Sequence, residues 1–161
     1  MADGMPGAPY YLEDFTPGRT FGHHWGRTVT ETDAILFATQ THQYQPALFN
    51  RDYARALGHD RAPVSELLVF SIVLGLTVAD LSESGGPFLG ADDLRFSAPV
   101  HVGDTLYAAS VVTARRPSAR RPGWGVVTWR TVGTGAGGTQ VLSYTRSSLV
   151  RARPAQAGAP A

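Results

Sequence analysis

The sequence predicts an α+β fold, with an antiparallel sheet wrapped around one long apolar helix. Three observations carry that expectation. The segment opening at Ser65 places Leu67, Leu68, Phe70, Ile72, Val73, Leu74, Leu76, Val78 and Leu81 around nearly every helical face, and a helix apolar all round is a buried one. Four strand-like segments follow it, and Gly- or Pro-containing turns separate them. No helical segment lies between those strands, so a doubly wound parallel sheet, which needs crossover helices, is excluded.

The elements can be justified in order. Arg19 to Thr30 carries Phe21, Trp25 and Val29 among polar residues and reads as a first strand weakened by Gly22 and Gly26. Thr30 can cap a helix, and Asp33 stands three residues on as in a capping box. The helix itself then runs from Ala34 to Thr41. After a polar stretch, Asn50 to Leu57 reads as a short helix capped by Asn50 and closed by Gly58. The central helix runs from Ser65 to near Ser84-Gly85-Gly86. Strands are expected at Phe88–Phe96, Asp104–Arg115, Gly125–Val132 and Gln140–Arg151. In the last, Leu142, Tyr144 and Arg146 share one face and Val141, Ser143 and Thr145 the other. Arg115 to Gly123 reads as a basic loop and Gly133 to Gly138 as a hairpin turn. Residues 1–9 and 152–161, rich in Gly, Ala and Pro, are expected to carry little structure around a single domain over 10–151.

With 161 residues, 43% apolar and 17% charged, the chain suits one globular domain. A net charge of +1 gives no reason to expect nucleic acid or an anionic membrane as partner. All 14 basic residues are Arg, which reads as a coding bias. The absence of Cys excludes thiolate nucleophiles and Cys-based metal sites. Five His without H-x-H or H-x-x-x-H spacing give no metal signal. Neither a signal peptide nor a membrane span is expected, so the location expected is cytoplasmic.

Three stretches resemble one family. Asp14-Phe15-Thr16-Pro17-Gly18 looks like its entry segment. Arg27-Thr28-Val29-Thr30-Glu31-Thr32-Asp33 is similar to its R-T-[VI]-T-E-[AT]-D stretch. Phe96 to Leu106 is similar to its F-x-x-P-V-x-x-G-D-T-L turn. On these residues the chain resembles the MaoC-like hydratases and dehydratases over roughly Tyr11 to Arg151. The resemblance implies a hot-dog fold, a curved antiparallel sheet around a central helix. It also implies a lyase activity on an enoyl or 3-hydroxyacyl thioester carried by coenzyme A or an acyl carrier protein, with no cofactor. Hot-dog proteins generally pair, so a homodimer or a heterodimer with a related subunit is implied too.

The family's hydratase motif, roughly D-x-N-P-x-H-x-D followed by Tyr-Ala, departs here. With Tyr53-Ala54 setting the register, Gln43 stands at the catalytic Asp, Gln45 at the Asn, Leu48 at the catalytic His and Asn50 at the last Asp; only Pro46 is kept. Hydration needs groups that exchange protons near neutrality. A Gln amide does not titrate there and Leu offers no polar atom. Replacement chemistry is expected from Glu66, at the start of the central helix, and from His42, beside the lost Asp position; Gln43 stays in the catalytic set as a polar group. Gln45, Asn50, Ser65 and Tyr44 are candidates for binding substrate. His59 after Gly58 is expected at the surface, and His23 and His24 have no carboxylate near them in sequence. Arg115, Arg116, Arg120 and Arg121 read as a solvated loop before they read as a phosphate site. A rebuilt site suggests specialised, polyketide-like metabolism. The alternatives are an inactive subunit that pairs with an active one, and an acyl-thioester-binding module.

Overall fold

The computed structural model describes residues 10–83 and 86–154. Residues 1–9 and 155–161, and with them most of the expected loose ends, lie outside that range. Ala152 and Arg153 are tied down: the Ala152 N–H donates to Gly123 O, and Arg153 pairs with Asp14 at 2.9 Å.

Along the chain run β1 (Thr20–Gly22), β2 (Arg27–Thr28), α1 (Glu31–Gln40), α2 (Arg51–Ala56), α3 (Glu66–Leu76), α4 (Val78–Leu81), β3 (Phe88–Phe96), β4 (Thr105–Pro117), β5 (Trp124–Thr134) and β6 (Gln140–Arg151). The strands form one antiparallel sheet in the order β1-β4-β5-β6-β3, with β2 also on β4. β5 is central, paired from Tyr107↔Thr134 to Pro117↔Gly125 with β4 and from Trp124↔Arg151 to Thr134↔Gln140 with β6. Among the described residues no helix is long and apolar enough to cross a membrane.

The local signals act as expected at the helix ends. Thr30 Oγ1 accepts from the Asp33 N–H, and the Asp33 carboxylate accepts from the Thr30 N–H, closing a capping box on α1. Asn50 Oδ1 accepts from the N–H groups of Asp52 and Tyr53 on α2. Gly58, at φ +88°, ends α2: its N–H donates to Arg55 O and the His59 N–H to Ala54 O. That is a Schellman motif, which needs a residue free to enter the left-handed region.

Four expectations change. The single early strand is two short ones, because the chain leaves β4 between His23 and Gly26 and the His23 side chain turns into the core. The central helix stops at Leu76. Thr77, fully buried, turns its hydroxyl back onto Leu74 O, and α4 resumes beyond it. Nor is that helix buried all round: Leu68, Val69, Ile72 and Val73 pack on the sheet, while Leu67 is 47% exposed. Finally, β4 runs on to Pro117, so the basic loop starts at Ser118.

α3 lies close over the sheet where β5 has Gly133; a Cβ there would meet Val73 Cγ2 at 2.9 Å. Two apolar clusters result. One joins α3 to Leu106, Ala108, Leu142 and Tyr144. The other gathers Leu12, Phe15, Phe21, Leu81, Val112, Val127, Trp129 and Val150. Between them on the same sheet face lie buried polar side chains: Ser110 on β4, Thr131 on β5, Arg146 and Ser148 on β6. Each fully buried Leu, Val or Phe contributes roughly 1.5–3 kcal/mol, so these clusters hold the sheet shape while the polar band between them must satisfy itself.

Candidate active site

Beneath the start of α3 lies a cavity of about 280 Å³. Four segments wall it. Gln45, Ala47 and Leu48 come from the turn after α1. Leu57 and His59 come from the end of α2. Pro63, Val64, Glu66 and Val69 come from the run into α3. Phe96, Ala98, Pro99 and Val100 come from the β3–β4 connection. Backbone pairing of Val64 N–H with Val100 O and of Val102 N–H with Ala62 O clamps the last two segments together. The wall is mostly apolar. Its titratable side chains are Glu66 and His59, and Gln45 adds a neutral amide.

The residues expected from the sequence divide into three groups. Glu66 and Gln45 are on the cavity wall. Gln43 and Ser65 are joined to each other: the buried Ser65 hydroxyl donates to Gln43 Oε1 at 2.8 Å. Ser65 occupies the N-cap position of α3 yet makes no side-chain cap, so the backbone N–H groups of that first turn keep no capping oxygen. His42, Tyr44 and Asn50 are not brought to the cavity. His42 follows α1 at φ +58°, exposed, with its ring edge-on to Tyr44 at 5.6 Å. The carbonyl oxygen of Asn50 serves the cap of α2. Leu48, which the resemblance sets at the His position, is 7% exposed and lines the cavity with an apolar side chain.

Sequence reasoning missed His59. The only signal was Gly58, whose Schellman turn fixes the direction of the next residue. The His59 ring lies 5.8 Å from that of His101. It also borders a second depression of about 250 Å³ lined by Glu31, Arg51, Arg55, Asp60, Arg61, Ala62 and Val102. Arg51 is paired there with Glu31 and Arg61 with Asp104, both at 2.6 Å.

A second constellation was also invisible in the sequence. His23 Nδ1 lies 2.6 Å from Asp80 Oδ2, and Nε2 lies 2.9 Å from Ser110 Oγ, which lies 2.8 Å from Thr131 Oγ1. A carboxylate only accepts, so the neutral ring carries its proton on Nδ1 and accepts the Ser110 hydroxyl proton at Nε2. Burial, the largest influence, holds the His23 imidazole below its ordinary 6.5, and Asp80 opposes it. Beside this chain Arg146, 3% exposed, donates to Thr77 Oγ1 at 2.9 Å and Ser148 Oγ at 3.2 Å and faces the Trp129 ring at 5.3 Å. Burial pushes its guanidinium below its ordinary value. Ser110 is 4% exposed and lines neither the cavity under α3 nor the depression beside it. Among the described residues no group of three or more His, Cys, Asp or Glu is placed to hold a metal ion.

The architecture, a curved antiparallel sheet around a helix, is that of the hot-dog proteins. It superposes on the MaoC-like dehydratase of Rhodospirillum rubrum with a TM-score of 0.77 and 26% identity, covering 91% of this chain and 99% of that one. A MaoC domain dehydratase of Chloroflexus aurantiacus superposes with a TM-score of 0.83 at 38% identity, covering 99% of this chain and 45% of that one. The family model described as mesaconyl-CoA hydratase matches residues 7–159, and the chain belongs to that family of MaoC-like hydratases. Among its relatives, the mesaconyl-CoA hydratase of Haloarcula marismortui is 36% identical over 145 residues, 89% of this chain and 40% of that protein. The beta-methylmalyl-CoA dehydratase of Chloroflexus aurantiacus is 38% identical over 150 residues, 93% and 42% respectively. This chain therefore spans less than half the length of these two curated relatives.

Proposed function

We propose that the chain is a hydratase or dehydratase-type lyase for short acyl-coenzyme A thioesters, working in the cytoplasm. The observation that carries this reading is the 280 Å³ cavity with an apolar wall and the Glu66 carboxylate in the first turn of α3. That volume is just below the range of most ligand pockets, which run from about 300 Å³ upward, and it suits a short acyl group. Relatives named for coenzyme A thioesters favour that carrier over a carrier protein. Nothing in their names supports the polyketide-like setting expected from the sequence.

In this reading Glu66 exchanges the proton of the water that adds to, or leaves, the β-carbon. The uncapped N–H groups of the α3 first turn face charge that develops on the thioester carbonyl. Gln45 orients the acyl group, and the Ser65–Gln43 pair fixes the turn that presents both. His42, Tyr44 and Asn50 have no part in it.

A second copy of the chain, or a related hot-dog subunit, completes the particle. β3 is an outermost strand with Phe88, Leu89 and Phe96 each at least 41% exposed, and such an edge invites pairing. The relatives' double length fits two such domains in one chain. The silent-subunit alternative draws on Leu48. The test is hydration of mesaconyl-CoA, and separately crotonyl-CoA, by the purified chain, with Glu66→Gln alongside. The expected result is turnover that Glu66→Gln lowers by about 10²-fold or more without change in melting temperature. Turnover appearing only after a related subunit is added supports the silent-subunit alternative, and equal rates in both chains remove Glu66 from the mechanism.

A further inference from the structure

We infer that His59 is the second proton-transferring group of the cavity, the partner of Glu66 and the functional replacement for the imidazole lost at Leu48. The inference rests on the reading of that cavity as the acyl-thioester site. Adding water across the double bond requires two proton transfers. Glu66 takes a proton from water as its oxygen bonds to the β-carbon. The π pair moves to the α-carbon and takes a proton there, and a second group on the wall delivers it while Glu66 still holds the proton taken from water. Of the side chains that wall the cavity, Glu66 and His59 alone carry a carboxylate or an imidazole able to take and give a proton; the rest are apolar or, in Gln45, a neutral amide. His59 as imidazolium supplies the α-proton, and both groups, being open to water, are reset by it. Dehydration runs the same transfers backward.

The geometry favours this role. The Schellman turn at Gly58 anchors the His59 backbone to Ala54 O at 3.0 Å, so its position is set by α2 and does not drift with a loop. The side chain is half-buried. His59 and Glu66 come from different segments, α2 and α3, so their side chains enter from separate parts of the wall. Around His59 the charged and titratable groups are Glu66 on α3, His101 on the β3–β4 connection, Arg51 and Arg55 on α2, Glu31 on α1, and its chain neighbours Asp60 and Arg61.

The experiment is the pH dependence of mesaconyl-CoA hydration by the wild-type chain, His59→Asn and Glu66→Gln. The wild type should give a bell-shaped kcat profile. His59→Asn should lower kcat by about 10²-fold with KM changed less than a few-fold, and lose the alkaline limb. Glu66→Gln should lose the acid limb. A wild-type rate and profile in His59→Asn, with Glu66→Gln inactive, overturns the role of His59 and leaves the cavity reading standing. A wild-type chain without turnover overturns both. If His59→Asn also lowers the melting temperature, chemical rescue decides: His59→Gly regains turnover with added imidazole when the ring transfers a proton, and gains nothing when the ring only fills space.

Discussion

The molecule contains two histidine–carboxylate regions of opposite character. In the band between the apolar clusters, His23, Asp80 and Ser110 have the hydrogen-bond geometry of a nucleophile, base and orienting acid, at 2.6 and 2.9 Å. In the cavity, His59 and Glu66 have no hydrogen bond to each other among the described residues. Yet the first is closed and the second is open. Ser110 is 4% exposed, its hydroxyl already bonded to His23 and Thr131. The comparison teaches that short distances among Ser, His and Asp mark a satisfied polar core as readily as a catalytic centre. The mark of a site is unsatisfied chemistry facing an accessible space.

Substitutions sharpen the contrast. Beside the closed band the largest effect is expected from Trp129→Ala, which removes a fully buried ring from the second apolar cluster and from the face of Arg146. It should cost about 3–5 kcal/mol in urea unfolding. Asp80→Ala leaves His23 Nδ1 without its acceptor and should cost about 1–3 kcal/mol, while kcat for enoyl-thioester hydration stays at the wild-type value. A catalytic loss in Asp80→Ala without loss of stability would reverse the assignment of the two regions.

How much of this was legible follows from the range of the signals. The two caps, Thr30 with Asp33 and Asn50, are local patterns of three or four residues, and both helices start where those patterns place them. The last strand alternates in sequence, and Arg146 takes the inward face that its alternation with Leu142 and Tyr144 assigned. The break at Thr77 was hidden, because an apolar run does not register one hydroxyl turning back onto its own helix. The His23–Asp80 contact joins residues 57 apart through the meeting of β1 and α4, and no spacing rule reaches so far. That Glu66 starts the central helix was legible, and the fold sets it on the cavity wall. His59 was not, since only the fold brings the α2 terminus to the α3 start.

Smaller effects probe how each histidine is held. Gly58→Ala forces a side chain into the left-handed region at φ +88°. It should cost about 1 kcal/mol and lower turnover more than stability, because it shifts His59. For His23 the sign follows from burial: its folded value is below the ordinary 6.5, so the unfolded chain binds the proton more readily. Its contribution to stability is therefore full above about pH 6.5 and is lost as pH falls below that, through the folded value. Unfolding curves of His23→Gln should lack that slope. Losses at still lower pH should remain, because Asp33, held below its ordinary range chiefly by the Thr30 N–H, titrates there.

The most direct measurement is a side-by-side assay of mesaconyl-CoA hydration and thermal unfolding for Glu66→Gln and Ser110→Ala. The account predicts that Glu66→Gln loses about 10²-fold or more in kcat at unchanged melting temperature, while Ser110→Ala melts lower and turns over at the wild-type rate. The opposite pattern, an active Glu66→Gln and an inactive, fully stable Ser110→Ala, would place the chemistry in the closed band and contradict the account.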